Sequence, residues 1–410
     1  MKQKILLKGP FLSQSGYGEQ ARFALRALRT REDIFDIYLL PINWGQTGWV
    51  SLDNEERSWV DERIKQTHAF NEIKGIYDVS IQVTIPNEFE NLATVNIGYT
   101  AGIETTKVTP EWLDKSNSMD KIIVVSNHSK QVFKQTSYDV KDASSGVPKK
   151  LSLTSPIETV NYPVRRLKKQ KINLNLDYDF NYLAISQWGP RKNFDNLINW
   201  FIEENFDQEV GLIVKTSIKN NSRVDREYTE NKLKSIVAPH GDIKCKVYLV
   251  HGDLSDEELA GLYQDKKVKC LVSITHGEGY GLPLFEAAYN GLPIICVGWS
   301  GQTDFLTIPQ KNGKLREMYA SVEYDLQRVQ KEAVWQGIIQ PESLWAYPRE
   351  ASFKKKLREI RTEYSRYSRT ASKLKRHLLD NFSEEKIYKN FIDSVLGKTQ
   401  GEAKQVNGIS

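Results

Sequence analysis

The sequence predicts an α/β protein built from two doubly wound parallel-sheet domains facing a central cleft. Three observations predict it. Short apolar runs alternate with helical patterns along most of the chain, a basic polar stretch interrupts the alternation once, and the alternation then resumes without any internal repeat. Alternation of this kind makes successive strands parallel and covers both faces of each sheet with helices. The 410 residues allow two or three domains at roughly 100 to 200 residues each.

The first unit reads as a strand from Lys4 to Lys8, a glycine-containing loop from Gly9 to Gly18, and a helix with Ala21, Ala24, Leu25 and Leu28 at helical spacing. Further strands are expected at Ile37 to Leu40, Val79 to Ile85 with alternating apolar residues, Ala93 to Tyr99 and Lys121 to Val125, with a helix start at Pro110. These define a first domain over 1–163. The basic segment 164–176 reads as a linker, and a second domain follows over 177–383. Its strands are expected at Tyr182 to Ser186, Val210 to Lys215, Lys246 to Val250, Val268 to Thr275 and Pro293 to Val297. Helices are expected at Phe194 to Asn205 and at Asp256 to Gln264, the latter behind a capping box of Ser255 and Glu258. From about Tyr319 the chain reads as mainly helical, and 398–410 as a disordered tail.

Composition excludes several classes. The chain carries 57 Lys plus Arg against 52 Asp plus Glu, with 40% hydrophobic residues, an ordinary globular balance. No window approaches the roughly 18 to 20 apolar residues of a spanning helix, and Ile5-Leu6-Leu7 between lysines is too short for a secretory core. A cytoplasmic protein is expected, with peripheral membrane contact left open. Cys245, Cys270 and Cys296 follow neither zinc nor disulfide spacing and read as small buried hydrophobes. Gly16-Tyr17-Gly18-Glu19-Gln20-Ala21 matches a dinucleotide fingerprint. A nicotinamide site, however, needs the first glycine directly after the strand and an acid near the end of the second one, and neither is present. Asp177-Tyr178-Asp179 has the spacing of a metal-binding acid pair, but it precedes its strand. No metal or other cofactor is expected.

The segment HGEGYGLPLFEAAYNGLPII, 276–295, is the most informative. Gly279, Tyr280 and Gly281 form a turn that opens a helix from Leu282 to Asn290, with Pro283 where a missing N–H costs nothing. Free amides and the helix dipole make such a start an anion site. Glu278 and Glu286 flank it, and carboxylates beside a phosphate make sense where they accept from sugar hydroxyls. A phosphate with sugars on both sides describes a nucleotide-sugar.

With its two glutamates separated by seven residues around a Gly-aromatic-Gly-Leu-Pro turn, this segment resembles the signature of the family 4 (group 1) retaining glycosyltransferases of the GT-B fold. The resemblance implies two Rossmann-like domains, a donor-sugar contact by Glu278 and a ribose contact by Glu286. It extends to GPFLSQSGYGEQAR at 9–22, similar to the family's first glycine loop, so that Gly16, Tyr17 and Gly18 approach the donor. It also covers NIGYTAGIETTKVTPEW at 96–112, DKIIVVSNHSKQVF at 120–133 and WGPRKNFDNL at 188–197, which places the diphosphate-binding lysine at Lys192. The resemblance further implies that a closing helix, 384–397, returns to the first domain.

Many members carry an arginine six positions before that lysine, and here Ser186 stands there. Two cations are candidates for the missing charge. Arg191 points away from Lys192 if the segment is extended, whereas Lys215 ends a strand at the carboxyl edge of the sheet, and Lys215 is favoured. Lys192, Lys215 and the amides of Gly279 to Leu282 would then stabilise a departing diphosphate, and Glu104, which the resemblance places facing the cleft, either orients the acceptor or forms a structural salt bridge. His276 is a further donor contact or a satisfied loop histidine, and Trp44 and Trp49 a stacking platform or buried packing. The acceptor stays open between a glycan, a lipid-linked sugar and modified DNA. One alternative to a transferase remains: a catalytically silent GT-B protein that binds nucleic acid or a polyanionic glycan through 349–376, where eleven Lys and Arg face three Glu.

Overall fold

A computed structural model describes residues 2–45, 47–50, 52–141 and 146–397; the tail expected at 398–410 lies outside them. The first sheet has six parallel strands in the order Phe35–Pro41, Gln3–Gly9, Val79–Val83, Val95–Thr100, Lys121–Val124 and Ile157–Thr159. The second has six in the order Lys246–Val250, Gly211–Lys215, Asn181–Ile185, Val268–Ser273, Ile294–Val297 and Ala320–Val322, again all parallel.

Helices cover both faces of the sheets, so central strands are largely buried. Val79–Val83 is buried throughout, and its polar members are satisfied inside: the Ser80 hydroxyl donates to Asn96 Oδ1 and the Gln82 side chain accepts from the Glu90 amide. Ile85 falls beyond the strand, at the entry to a turn that starts with Pro86.

In each sheet the strand order reverses beside the strand that begins the domain. The chain runs outward from Gln3–Gly9 to Phe35–Pro41 and then crosses back to Val79–Val83. It runs outward from Asn181–Ile185 through Gly211–Lys215 to Lys246–Val250 and then crosses back to Val268–Ser273. Crevices form beyond the carboxyl ends of strands at such reversals. The loops that leave Ile185 and Ser273 carry Lys192 and Glu278, so the topology brings these two residues together.

Three expectations are corrected. The stretch Gly16 to Gly18 is not loop but the first turn of a helix, Gly16–Arg29, because Ser15 caps it by accepting from the Gly18 amide at 3.0 Å. The region after Tyr319 is not mainly helical. Ala320–Val322 closes the second sheet, and Tyr324–Arg328 pairs antiparallel with Leu344–Pro348; helices resume only at Glu350–Thr362, Tyr364–Asn381 and Glu384–Val395. Lastly, the helix Glu55–Glu72 and the hairpin Ser137–Lys141 with Pro148–Ser152 add to the expected elements. That helix buries only Val60 and Thr67, too narrow an apolar stripe for periodicity to reveal.

Several contacts join the domains. From the C-terminal helix, Phe391 packs at 5.3 Å from Phe23 and 5.4 Å from Tyr99 between ring centroids, a fully buried ring worth about 1.5 to 3 kcal/mol. Beside it the chain crosses the other way, with the Val164 amide donating to the Phe382 carbonyl at 2.7 Å. Arg165 then reaches Glu19 at 3.2 Å in the first domain and Asp256 at 2.7 Å in the second. Across the cleft wall, Asp304 Oδ2 accepts from the Asn127 amide at 2.8 Å and from Asn161 at 3.1 Å.

Candidate active site

Between the sheets lies a cleft of about 1790 Å³, lined by Gly16, Tyr17, Glu104, Lys192, Lys215, Glu278, Gly279, Tyr280, Gly281, Leu282 and Glu286 among others. One wall is the turn before Leu282–Asn290. Gly281, at φ +93°, enters the helix in the left-handed region that glycine adopts without strain, and the turn is held by the Glu278 amide donating to Ser300 Oγ at 2.9 Å. The turn also presses on the first domain, since a Cβ on Gly277 would stand 2.2 Å from the Glu104 carbonyl oxygen.

Two cations converge on Glu278. Lys192 Nζ lies 2.5 Å from Oε1, and Arg191 Nη1 lies 3.0 Å from Oε2. Burial alone would raise the Glu278 pKa, but these two neighbours hold it at about 2. Burial and adjacent Arg191 pull the Lys192 ammonium down, with Glu278 opposing.

The expected direction of Arg191 is corrected here. Gly189-Pro190 bends 190–192 into a tight 3₁₀ turn rather than an extended strand, so adjacent side chains land on one carboxylate. Arg191 also donates to the Gly277 carbonyl at 2.6 Å and pairs with Glu104 at 3.2 Å, linking both domains. Lys215 does line the cleft, but its ammonium donates to the Gly252 carbonyl at 2.8 Å, and burial lowers its pKa.

His276 is corrected as a donor contact. It is buried, with Nδ1 2.7 Å from the Ala346 carbonyl and its ring stacked 4.7 Å from Trp345. Tyr280 touches the cleft, yet its ring is buried against Tyr162 and Phe305. Gly18 faces inward, towards the Ser13 carbonyl, so of the first three helix residues only Gly16 and Tyr17 line the cleft. The Tyr17 hydroxyl pairs with Thr100 Oγ1 at 2.8 Å, and its ring lies 4.2 Å from Trp44. Trp44 lines the cleft, while Trp49 is exposed outside it. Asp179 pairs with Lys267 away from the cleft.

Glu286 sits one helical face away from the turn and accepts from the Tyr263 hydroxyl at 2.8 Å. Burial pushes its pKa up to about 7; Tyr263 and Arg165 draw it down, Glu19 and Asp256 up. Its ordinary value is 4.5, so its contribution to stability is fully present below that pH and is lost as pH rises through about 7. Glu286→Gln should flatten this part of the pH dependence, which thermal unfolding between about pH 5 and about pH 8 measures. If the ionised carboxylate holds ribose hydroxyls, nucleotide affinity should instead rise with pH, by up to about tenfold from about pH 6 to about pH 8, and Glu286→Gln should remove that rise.

The first part of the basic run, 349–366, is mostly paired with carboxylates, whereas no ion pair is seen for Arg369, Lys373, Lys375 or Arg376 among the described residues. Arg349 pairs with Asp325, Lys354 with Glu203, Lys356 with Glu359, Arg358 with Glu204 and Arg366 with Glu363.

Two doubly wound domains that share a cleft define a protein of the GT-B fold. Residues 165–321 match the family model described as glycosyl transferases group 1. Solved structures of the same fold include a sucrose-phosphate synthase from Thermosynechococcus elongatus, 14% identical, TM-score 0.61, covering 97% of this chain and 99% of the other. The Anabaena protein HepE in complex with UDP and glucose is 12% identical, TM-score 0.60, with 96% and 100% covered. A glycosyltransferase from Rickettsia africae is 13% identical, TM-score 0.59, with 98% and 100% covered. A comparison with curated proteins finds no significant match. Among the described residues no helix is long and apolar enough to cross a membrane.

Proposed function

We propose that this protein is a retaining glycosyltransferase that moves a sugar from a nucleotide-diphosphate sugar to an acceptor hydroxyl, the first domain (1–163) holding the acceptor and the second (177–383) the donor. One observation carries the reading. Lys192 and Arg191 meet Glu278 at the N-terminus of Leu282–Asn290, within the segment that matches the group 1 glycosyltransferases.

The arrangement has a definite chemistry. In glycosyl transfer the bond from the anomeric carbon to the diphosphate breaks, the bond to the acceptor oxygen forms, and negative charge grows on the leaving phosphate. Lys192, Arg191 and the helix amides offer positive charge at that place, on side chains that are largely shielded from solvent. Glu278 holds the two cations in place and would accept from donor-sugar hydroxyls when the diphosphate takes its place beside them. With retention, the leaving phosphate oxygen takes the acceptor proton, so no separate base is required. Glu104, paired with Arg191, ties the acceptor wall to the donor cations.

A thermal-shift series with UDP, GDP, ADP, CDP and their common sugars tests this reading. A ligand at about one hundred times its dissociation constant adds about 2.7 kcal/mol, and UDP, present in the HepE structure, comes first. A shift from one nucleotide supports the transferase. Silence from every nucleotide, with a shift from DNA or heparin, supports the polyanion binder, a reading that the carboxylate pairing along 349–366 disfavours.

A further inference from the structure

The antiparallel pair Tyr324–Arg328 and Leu344–Pro348 carries a connection that reaches across the cleft, and its tip holds an exposed tryptophan. Trp335 and Ile339 pair through their backbones, with the Ile339 amide donating to the Trp335 carbonyl at 2.7 Å, which closes a tight turn around Gly337 at φ +78°. The turn is anchored on both domains. On the donor side, the Ala346 amide donates to the His276 carbonyl at 2.9 Å and Trp345 stacks on the His276 ring. On the acceptor side, Thr109 Oγ1 donates to the Gly337 carbonyl at 3.3 Å and the Thr106 amide to the Leu344 carbonyl at 3.0 Å. Ile338 packs against the first domain's core around Ile103 and Trp112.

Although Ile338 is packed, Trp335 is 63% exposed and lines the cleft together with Ile339, Ile85, Glu88 and Glu104. A large ring held at the tip of a doubly anchored turn and lining the cleft offers an apolar face to a ligand. The cleft, at about 1790 Å³, exceeds the roughly 300 to 1,000 Å³ of a single ligand site. There is room for a second substrate beside the donor.

The charge on this wall selects the substrate. Glu88 and Glu104 are carboxylates, and both act on the Tyr17 hydroxyl, so they stand on the same side of the cleft. Carboxylates accept from hydroxyls and repel phosphates and sulfates. Arg191 offsets Glu104, with which it pairs at 3.2 Å, whereas Glu88 accepts only from the neutral Thr84 hydroxyl among its side-chain partners in the described residues, and Arg22, Arg26 and Arg165 are taken up by Glu19, Glu56 and Asp256.

We infer that Trp335, with Glu88 and Glu104, forms an acceptor subsite for an uncharged sugar, whose C–H face lies on the indole and whose hydroxyls donate to the carboxylates. The subsite rests on the transferase reading for its purpose, though its occupancy is measurable without turnover. The Glu88 carboxylate disfavours a phosphate or sulfate next to Trp335.

Saturation-transfer NMR tests it directly, with methyl glycosides of glucose, galactose, mannose and N-acetylglucosamine, with maltotriose, and with oligothymidylate and heparin as anionic probes. At least one neutral saccharide should bind wild type. Trp335→Ala and Trp335→Leu should each weaken it about tenfold and Trp335→Phe should largely restore it, since a ring face rather than bulk is required. Thermal unfolding of all three variants should match wild type, because the Trp335 ring is 63% exposed. No binding of any neutral saccharide to wild type, equal binding to wild type and Trp335→Ala, or stronger binding of the anionic probes at this site would each overturn the subsite. Loss of donor hydrolysis in wild type with saccharide binding intact would instead count against the transferase and leave the subsite standing.

Discussion

Lys192→Ala is expected to lower the rate of nucleotide release by about 10²- to 10³-fold, the usual cost of removing one donor aimed at developing charge. The ammonium is the closest cation to Glu278, at 2.5 Å, and it lies at the turn where the helix amides converge. Arg191 survives in the variant, but its guanidinium is divided between Glu278, Glu104 and the Gly277 carbonyl. A planar fork tied to three partners is poorly placed to follow a leaving phosphate. Single-turnover nucleotide release measures the loss, and a variant that matches wild type would show that Lys192 only neutralises Glu278.

Replacing Glu278 by Gln should lower turnover by about 10²-fold while nucleoside diphosphate binds at least as tightly as to wild type. The reasoning is electrostatic. The Glu278 pKa sits at about 2 because Lys192 and Arg191 face it, and removing its charge leaves Lys192 without a carboxylate partner and Arg191 with Glu104 alone. A diphosphate would compensate them, so product affinity holds or rises as the donor-sugar contact is lost. Glu286→Ala should behave in the opposite way, weakening nucleotide and sparing turnover at saturation. Calorimetric titration with nucleotide beside turnover separates the two, and an equal loss of affinity in both would contradict this division of roles.

How much was legible in the sequence follows from local physics. The parallel strands are legible because each is an apolar run buried on both faces, as in Val79–Val83 and Gly211–Lys215. Leu282–Asn290 is legible to the residue, because Gly281 and Gly291 in left-handed conformations bracket it and Pro283 sits in its first turn. Arg191 was misjudged because its direction depends on a bend at Gly189-Pro190, a dipeptide that marks turns and that was there to be read. His276 carries no such signal. Its partners, Trp345 and the Ala346 carbonyl, lie about seventy residues away and come from a hairpin that charge-rich flanks made look helical. Trp335, Ser300 and Arg165 were invisible for the same reason: their roles are set by contacts between elements far apart in sequence.

The account rests on the claim that Lys192, Arg191 and the Leu282–Asn290 amides hold a donor diphosphate with Glu278 on the sugar. A crystal structure with a non-transferable nucleotide-sugar, for the nucleotide found by thermal shift, measures that most directly. The predicted result places the diphosphate within hydrogen-bond distance of Lys192 Nζ and the amides at Gly281 and Leu282, the sugar on Glu278 and the ribose on Glu286. A diphosphate bound elsewhere, with Lys192 still closed on Glu278, would contradict it.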